Sequence, residues 1–342
     1  MHTVAALTEG KNVPSSRYRV EQYVRLLNSY GIDLINIPSR FGKYPPKQRS
    51  LRPMWLLAES FSRFITVLKG NYSYDSVFLQ RELISKFSYL EKLIQKPIIF
   101  DFDDSIFLGG NEKNISSIIS RSNQVICGNS YLADWASKYS KDLHVVPTGI
   151  DSDIVFNPSL YKDKIFEDDQ IIIGWIGTSS NHNNLLLIEG ELEFLLNKFS
   201  NLKIAIMSDL RPKFDQIKKN KVIFKKWFPD DEASFCNSID IGIMPLHDNP
   251  WNKGKCSFKA IQYMSMQKPV VISDVGMNKE LVSNNFNGLL AKKSDDWIDY
   301  LNYLINSNSE RMRLGNAARE TICRYYDVRV LAKKIAEIIK NV

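Results

Sequence analysis

Short apolar runs alternate along the chain with longer segments in which apolar residues recur every three or four positions. The short runs predict buried strands and the spaced segments predict amphipathic helices. Strands that are apolar on both faces and separated by helices are typical of parallel sheets, so the pattern predicts an α/β fold. The pattern starts again after a polar, charged stretch at 163–170. This restart indicates two successive doubly wound domains with a cleft between them.

The individual elements follow from the same pattern. Strands are predicted at 2–7, 32–37, 76–80, 97–102, 124–127, 143–147, 171–176, 202–207, 222–224, 239–244, 269–273 and 288–291. Helices are predicted at 17–29, 83–94, 130–139, 185–198, 231–237, 258–266, 295–306, 309–325 and 328–339. The domains are then 1–162, 163–325 and a C-terminal helix, 326–342, that crosses back to the first domain.

Composition and charge narrow the function classes. The 342 residues are 44% hydrophobic and 24% charged, which is ordinary globular composition, and the net charge is +7. This excess favours anionic partners such as nucleotides or phospholipid surfaces; no nucleic-acid-binding signature is present, so no nucleic-acid partner is expected. The four cysteines are far apart, and neither they nor the histidines have metal-ligand spacing. With no signal peptide and no long apolar run, we expect a cytoplasmic protein without a metal or other cofactor.

Basic and aromatic residues are concentrated between positions 40 and 69. The stretch contains Arg40, Lys43, Lys47, Arg49, Trp55, Arg52, Phe61, Arg63, Phe64 and Lys69. A basic amphipathic helix with aromatic anchors can lie on an anionic membrane, which would place the protein at the inner face of the cell membrane. The alternative is an ordinary surface helix packed on its own domain.

Two segments of the second half could bind phosphate. Glycines in 174–180 (GWIGTSS) follow a predicted strand, where main-chain N–H groups can approach an anion; the alternative is a tight structural turn. In 251–259 (WNKGKCSFK), Lys255 and Lys259 are four residues apart and could share one helix face. Two ammonium groups beside helix N–H donors would suit a diphosphate leaving group. The alternative is two solvated lysines.

These segments belong to an ordered set of motifs that resembles the family-4 retaining glycosyltransferases of the GT-B fold. In the second half the set is GWIGTSSN (174–181), IDIGIMPL (239–246), GKCSFKAIQYMSMQKPVVISDVGMNKELV (254–282), NGLLA (287–291) and RMRLGNAARE (311–320). In the first half it is SSRYRVEQY (15–23), FLQRELI (78–84), FDFDDSIFL (100–108), VICGNSYLADWA (125–136) and HVVPTGID (144–151).

The resemblance implies a metal-independent hexosyltransferase. It would move a sugar, with retention, from a UDP-, GDP- or TDP-linked donor to a saccharide or lipid-linked acceptor, in bacterial cell-surface polysaccharide synthesis. The donor domain would be 163–325 and the acceptor domain 1–162. Residues matching donor-binding positions are Gly177, Thr178, Ser179, Trp227, Phe228, Lys255, Cys256, Ser257, Lys259 and Gln262.

The chain departs from the family pattern at two positions. Gln262 stands where many members have the second Glu of a Glu-x7-Glu motif, and Gly254 stands where the first would be. The usual Arg and Lys after the glycine loop are also absent, and Lys255 and Lys259 could replace their charge. These departures support an alternative function, a catalytically inactive glycosyltransferase-like scaffold or partner subunit.

On the acceptor side, Asp103 and Asp104 follow a predicted strand and could orient the acceptor or take its proton; with Lys255 they are the predicted catalytic residues. Arg81 and Glu82 are further acceptor-side candidates. A capped turn is the alternative for the two aspartates. A metal-binding Asp-x-Asp motif belongs to a different fold and would place the sugar nucleotide in the wrong half.

Overall fold

The computed structural model describes residues 1–10, 13–42, 45–161, 165–166 and 169–342, and they form two compact units. Unit 1 comprises Met1–Gly149, Gly254–Cys256 and Val328–Val342; unit 2 comprises Ile150–Lys253 and Ser257–Asp327. The first unit therefore ends at Gly149, whereas the predicted boundary is at residue 162. Of the predicted linker 163–170, residues 163, 164, 167 and 168 lie outside the described residues, as does Lys43.

Each unit contains one six-stranded sheet, and all of the strand pairings are parallel. The strands are β1 His2–Thr8, β2 Ile32–Pro38, β3 Ser76–Gln80, β4 Ile98–Phe102, β5 Gln124–Cys127, β6 Leu143–Val145, β7 Ile171–Ile176, β8 Leu202–Ser208, β9 Val222–Lys226, β10 Ile241–Met244, β11 Val270–Ser273 and β12 Leu289–Ala291. β3 and β4 are buried at every position, as their continuous apolar runs predict.

Helices separate the strands. They are α1 Pro14–Arg19, α2 Val24–Asn28, α3 Arg52–Ser73, α4 Glu112–Arg121, α5 Ser130–Ala136, α6 His182–Leu185, α7 Glu189–Lys198, α8 Glu232–Ser238, α9 Pro250–Lys253, α10 Phe258–Ser265, α11 Asn278–Leu281, α12 Ser294–Asn306, α13 Asn308–Tyr325 and α14 Val328–Lys340.

Unit 1 has the strand order β2-β1-β3-β4-β5-β6. The C-terminal helix α14 belongs to this unit, which confirms the predicted return of the chain to its first domain. Apolar residues at helical spacing, such as Leu331 and Ile335, join a core with Val4, Leu27 and Ile99 of the sheet and α2.

Unit 2 has the strand order β12-β11-β10-β7-β8-β9, the order of a six-stranded Rossmann fold. The strand order reverses between β7 and β10, which pair directly. Open α/β sheets bind ligands outside the carboxyl ends of their strands at such a switch point. The end of β7, at the predicted glycine loop, is therefore where this unit offers a binding crevice. The two parallel sheets with flanking helices confirm the predicted α/β class of two Rossmann-like domains.

The predicted helix at 83–94 is wrong. Only Glu91–Leu93 is helical there, as a single 3-10 turn, and Lys86 has a left-handed φ of 69°. The buried Glu91 carboxylate accepts a hydrogen bond of 2.8 Å from the Leu83 N–H and so closes a loop instead of a helix. Its Oε2 atom has no hydrogen-bond partner among the described residues. Burial, reinforced by the Glu82 charge, raises the pKa of Glu91 to about 7.

This pKa predicts that unit 1 loses stability as the pH rises. The folded pKa is above the ordinary value of 4.5 for a glutamate, so the contribution of Glu91 is complete below pH 4.5 and is lost as the pH passes 7. Glu91→Gln keeps an acceptor for Leu83 but cannot ionise. We expect it to exceed the wild type in unfolding free energy by about 3 kcal/mol at pH 8 and by less than about 1 kcal/mol at pH 5, in urea denaturation monitored by circular dichroism.

The control is Glu337→Gln, since Glu337 is exposed on α14. It should change the stability equally at both pH values. An equal effect of Glu91→Gln at pH 5 and pH 8 would contradict the prediction.

Candidate functional site

In unit 1, a group of buried and partly buried charged side chains lies at the carboxyl ends of β1, β3 and β4. Arg81, directly after β3, has a left-handed φ of 59°, and its N–H donates to the Asp101 carbonyl at 2.8 Å. Its guanidinium donates to Asp103 Oδ1 at 2.8 and 2.6 Å and to Asp104 Oδ2 at 2.6 Å. Arg81 Nη1 also lies 3.6 Å from Glu9 Oε2. The structure thus brings together three of the predicted acceptor-side residues and adds Glu9.

This pairing decides what the two aspartates can do. Burial alone would lower the pKa of Arg81, but the charges of Asp103, Glu9 and Asp104 outweigh it and hold the pKa well above its usual value. Arg81 therefore stays charged and compensates both aspartates. A carboxylate paired with a guanidinium is a weak base, so the geometry favours an orienting role over proton abstraction. Glu82, the other candidate, accepts a hydrogen bond from Asn111 Nδ2 at 3.3 Å.

Asp101, the first aspartate of the Asp-x-Asp pattern, has a different partner. It is 1% exposed and forms an ion pair with Arg19, whose Nη1 also donates to the Val146 carbonyl at 2.8 Å. The Asp101 charge is thus compensated inside the domain, apart from Asp103. Sequence reasoning missed Arg19 and Glu9; the signal for both was their position in or before the SSRYRVEQY motif.

Residues 254–256 pack tightly on the loops after β4 and β5. A Cβ at Gly254 would lie 2.1 Å from Ser105 Oγ and 2.8 Å from the Ser105 backbone nitrogen. This position therefore has no room for the Glu that the family pattern has there. Asn129 Nδ2 donates to the Lys255 carbonyl at 3.1 Å.

The Cys256 side chain is buried in the same packing. Its thiol donates to the Asp103 carbonyl at 3.1 Å, and a Cβ at Gly128 would lie 2.2 Å from its sulfur. Burial raises the pKa of the Cys256 thiol well above its usual value, so it stays protonated. This side chain thus packs within unit 1, and its predicted donor contact stays a prediction.

Lys255 and Lys259 do not share a helix face, contrary to the expectation from their spacing. α10 begins only at Phe258, because Ser257 before it has a left-handed φ of 52°. Lys255 belongs to unit 1 and Lys259 to unit 2. The Ser257 hydroxyl is buried and donates to Asn278 Oδ1 at 2.6 Å, which stabilises the turn into the helix.

In unit 2, the glycine loop and α10 meet at the end of β7. A Cβ at Gly177 would lie 2.6 Å from Lys259 Cε and 2.8 Å from the Trp175 ring. The Lys259 ammonium lies over that ring, 5.4 Å from its centroid. The ring of His182 is 5.7 Å from Trp175, and burial lowers the pKa of His182, which favours its neutral form. Gly177 is thus required for the close approach of Lys259.

The main-chain donors of this loop are partly used within the protein. Gly177 N–H donates to the Met207 carbonyl at 3.0 Å. Ser179 donates to Asp209 through its N–H at 2.6 Å and its hydroxyl at 2.8 Å. Burial alone would raise the pKa of Asp209, but these hydrogen bonds lower it, so Asp209 is ionised. The N–H groups of Gly177 and Ser179 thus already have partners within the protein, and phosphate binding by 177–179 stays a prediction. Sequence reasoning missed Asp209, which follows the adjacent strand β8.

A third group follows β9. Trp227 Nε1 donates to Glu232 Oε1 at 2.7 Å, and Gln262 Nε2 donates to Glu232 Oε2 at 3.3 Å. Glu232 and Gln262 are 5% and 3% exposed, whereas the Phe228 ring is 54% exposed. Gln262 thus lies beside a carboxylate, that of Glu232 on α8, which sequence reasoning missed. Thr178, exposed in the glycine loop, accepts from Asn181 Nδ2 at 3.0 Å.

Comparison with known proteins finds a family match in the second half of the chain. Residues 170–307 match the family model described as "Glycosyl transferases group 1", which supports the predicted glycosyltransferase domain. An uncharacterized glycosyltransferase, MJ1178 of Methanocaldococcus jannaschii, is 24% identical over 208 residues, which cover 58% of this chain and 54% of that protein. The match thus spans about half the length of the relative.

Solved structures resemble the whole chain. Anabaena Alr3699/HepE in complex with UDP and glucose has a TM-score of 0.71 at 15% identity, with both chains fully covered. Sucrose-phosphate synthase of Thermosynechococcus elongatus has a TM-score of 0.73 at 13% identity, over 99% of this chain and 98% of that one. WaaG, a glycosyltransferase involved in lipopolysaccharide biosynthesis, has a TM-score of 0.68 at 12% identity, over 98% and 99%. These similarities confirm the predicted GT-B fold.

The Glu232–Gln262 contact predicts how the unfolding free energies of a single variant and an exchange double variant differ. Gln262→Glu would place a second buried carboxylate beside Glu232, and like charges at this distance repel. We expect it to lower the unfolding free energy at pH 8 by about 2 kcal/mol, measured by urea denaturation. The exchange double variant Glu232→Gln/Gln262→Glu restores one amide and one carboxylate, so it should recover at least about 1 kcal/mol of that loss. A Gln262→Glu variant as stable as the wild type would contradict the contact.

Proposed function

We propose that this chain is a metal-independent glycosyltransferase that transfers a hexosyl unit, with retention, from a nucleoside diphosphate sugar to a saccharide or lipid-linked acceptor. The family match over 170–307 supports transfer of a sugar. The likeness to a structure that holds UDP and glucose supports a nucleotide-linked donor, with a UDP-sugar as the first to test. The likeness to WaaG supports a role in cell-surface polysaccharide synthesis.

The observation that carries the proposal is the position of Lys259. Its ammonium lies over Trp175 beside Gly177, at the carboxyl end of β7 and next to the strand-order reversal. Departure of a nucleoside diphosphate leaves negative charge on the diphosphate oxygens. An ammonium at this place stabilises that charge more in the transition state than in the bound donor. Lys259 thereby supplies the neutralisation for which other enzymes use a divalent ion.

The group after β9 is the proposed nucleoside-binding part. The exposed Phe228 ring offers a face on which a nucleobase can stack. Gln262 is held by Glu232, so its amide and that carboxylate present both hydrogen-bond donors and acceptors to a ribose.

On the acceptor side, Asp103 and Asp104 orient the acceptor hydroxyl by accepting its hydrogen bond, and Arg81 positions the two carboxylates. In the proposed reaction, the acceptor oxygen forms a bond to the anomeric carbon from the face that the diphosphate leaves. The bond between that carbon and the phosphate oxygen breaks, and the acceptor proton passes to a diphosphate oxygen. Retention follows because the new bond replaces the old one on the same face.

The second candidate function is an inactive scaffold or partner subunit. Gly254 and Gln262 favour it, because neither supplies the carboxylate of the family pattern. The Glu232 carboxylate beside Gln262 weighs against it, since the negative charge is present from another helix.

The test uses calorimetry to measure the binding of UDP, GDP, TDP and UDP-glucose to the wild type and to the Lys259→Met variant. We expect one nucleotide to bind and Lys259→Met to weaken that binding at least about tenfold, or about 1.4 kcal/mol. The matched control is Lys198→Met. Lys198 also lies over an aromatic ring, 5.4 Å from that of Phe199, but at the end of α7, near the amino ends of the strands.

The two functions give different results. Binding of no nucleotide would contradict the enzyme and favour the scaffold. If both substitutions weaken nucleotide binding equally, or if neither weakens it, Lys259 is not part of the donor site.

A further inference from the structure

Helix α3 turns its polar face toward its own domain. Four of its residues are buried: Glu59, Arg63, Val67 and Gly70. Arg63 Nε donates to Glu59 Oε1 at 2.8 Å, and Arg63 Nη2 donates to the Thr8 carbonyl at 2.6 Å. The Ser39 hydroxyl donates to the same Glu59 oxygen at 2.7 Å. The helix is thus attached to unit 1 by a buried ion pair as well as by apolar contacts.

The opposite face of α3 is apolar and exposed. The outer stripe consists of seven side chains with exposed fractions from 36% to 88%: Met54, Leu57, Phe61, Phe64, Ile65, Leu68 and Tyr72. At 3.6 residues per turn these positions fall within an arc of about 100°. The buried residues lie on the other side of the same helix. An amphipathic helix on a globular domain normally buries its apolar stripe, so this helix has the reverse orientation.

The surface around the outer stripe is cationic. Between residues 40 and 74, the described residues with exposed positive charges are Arg40, Lys47, Arg49, Arg52 and Lys69. Glu59 is the one carboxylate among the described residues of this range, and it is 2% exposed and paired with Arg63. No acidic side chain of this segment therefore opposes the positive charge.

A groove beside the stripe combines the two properties. Its lining includes the apolar side chains of Ile37, Phe41, Phe61 and Ile65, together with Arg40 and Lys69. Trp55 Nε1 donates to the Phe41 carbonyl at 3.2 Å, which holds the Phe41 segment against α3. Apolar walls with ammonium and guanidinium groups match a lipid that has acyl chains and a phosphate-bearing headgroup.

We propose that the outer stripe of α3 and its cationic flanks dock this protein on the surface of an anionic lipid bilayer. Apolar burial in the interface and attraction to anionic headgroups are the two contributions to such binding, and this surface provides both. A second copy of the chain is the less favourable occupant, because a symmetric contact would bring the same cations together. Among the described residues, no helix is long and apolar enough to cross the bilayer.

The test is co-sedimentation of the full chain with phosphatidylcholine vesicles that contain about 30 mol% phosphatidylglycerol. We expect the chain to bind these vesicles and the binding to weaken in about 0.5 M salt. We expect little binding to vesicles of pure phosphatidylcholine. Leu57→Ser/Phe61→Ser/Leu68→Ser should reduce the partition coefficient at least about tenfold. Arg49→Ala/Arg52→Ala/Lys69→Ala should reduce it to a similar extent.

Matched controls separate the surface from general effects. Lys213→Ala/Lys218→Ala/Lys219→Ala removes the same charge from exposed positions of unit 2 and should leave vesicle binding unchanged. Phe194→Ser/Phe286→Ser removes two similarly exposed aromatic rings of the same unit and should also have no effect. Circular dichroism of each variant shows whether it is folded.

Three outcomes would overturn the proposal. They are absence of binding to the anionic vesicles, equal loss in the control variants, and a dimer in sedimentation velocity that the Leu57→Ser/Phe61→Ser/Leu68→Ser variant dissociates. The readout does not involve nucleotide binding or catalysis, so its failure leaves the proposed glycosyl transfer untouched.

Discussion

The lack of a side chain at Gly177 lets the Lys259 side chain lie against the end of β7. Because any Cβ there would overlap Lys259 Cε and the Trp175 ring, only glycine lets the lysine cross the end of β7. The lysine comes from α10, which follows β10, and the glycine ends β7; these two strands flank the strand-order reversal. The sheet topology thus delivers the ammonium to the one edge where a doubly wound sheet binds an anionic ligand. The proposed chemistry depends on this contact.

In unit 1, the carboxyl edge of the sheet carries a group of paired charges. Four carboxylates, those of Glu9, Asp101, Asp103 and Asp104, lie near two buried guanidinium groups. Removal of one partner from such a group leaves a charge without compensation in a desolvated site, which is costly. The group is therefore rigid, and it presents aspartate oxygens in fixed directions. An acceptor hydroxyl needs such orientation more than it needs a strong base when the leaving diphosphate can take the proton.

The sequence predicts the parts of this structure that depend on local pattern. The continuous apolar runs of β3, β5 and β7 give their bounds without error, since a fully buried strand needs no periodicity. The helix expected at 83–94 fails because Lys86 has a left-handed φ and the buried Glu91 carboxylate accepts from the Leu83 N–H across the loop, and the polarity pattern reveals neither feature. Lys255 leaves the face of Lys259 because Ser257 adopts a left-handed conformation that no pattern of polarity reveals. Asp209 and Glu232 join the site through side-chain pairing between separate elements, which spacing along the chain does not encode.

The most direct measurement of the central claim is a crystal structure of the protein with UDP bound. The account predicts the diphosphate at the end of β7 with an oxygen at about 2.8 Å from Lys259 Nζ, the distance of a charge-assisted hydrogen bond. It also predicts the uracil on the Phe228 side of unit 2. A nucleotide bound elsewhere, with the Lys259 ammonium still over the Trp175 ring and remote from any phosphate, would contradict the account.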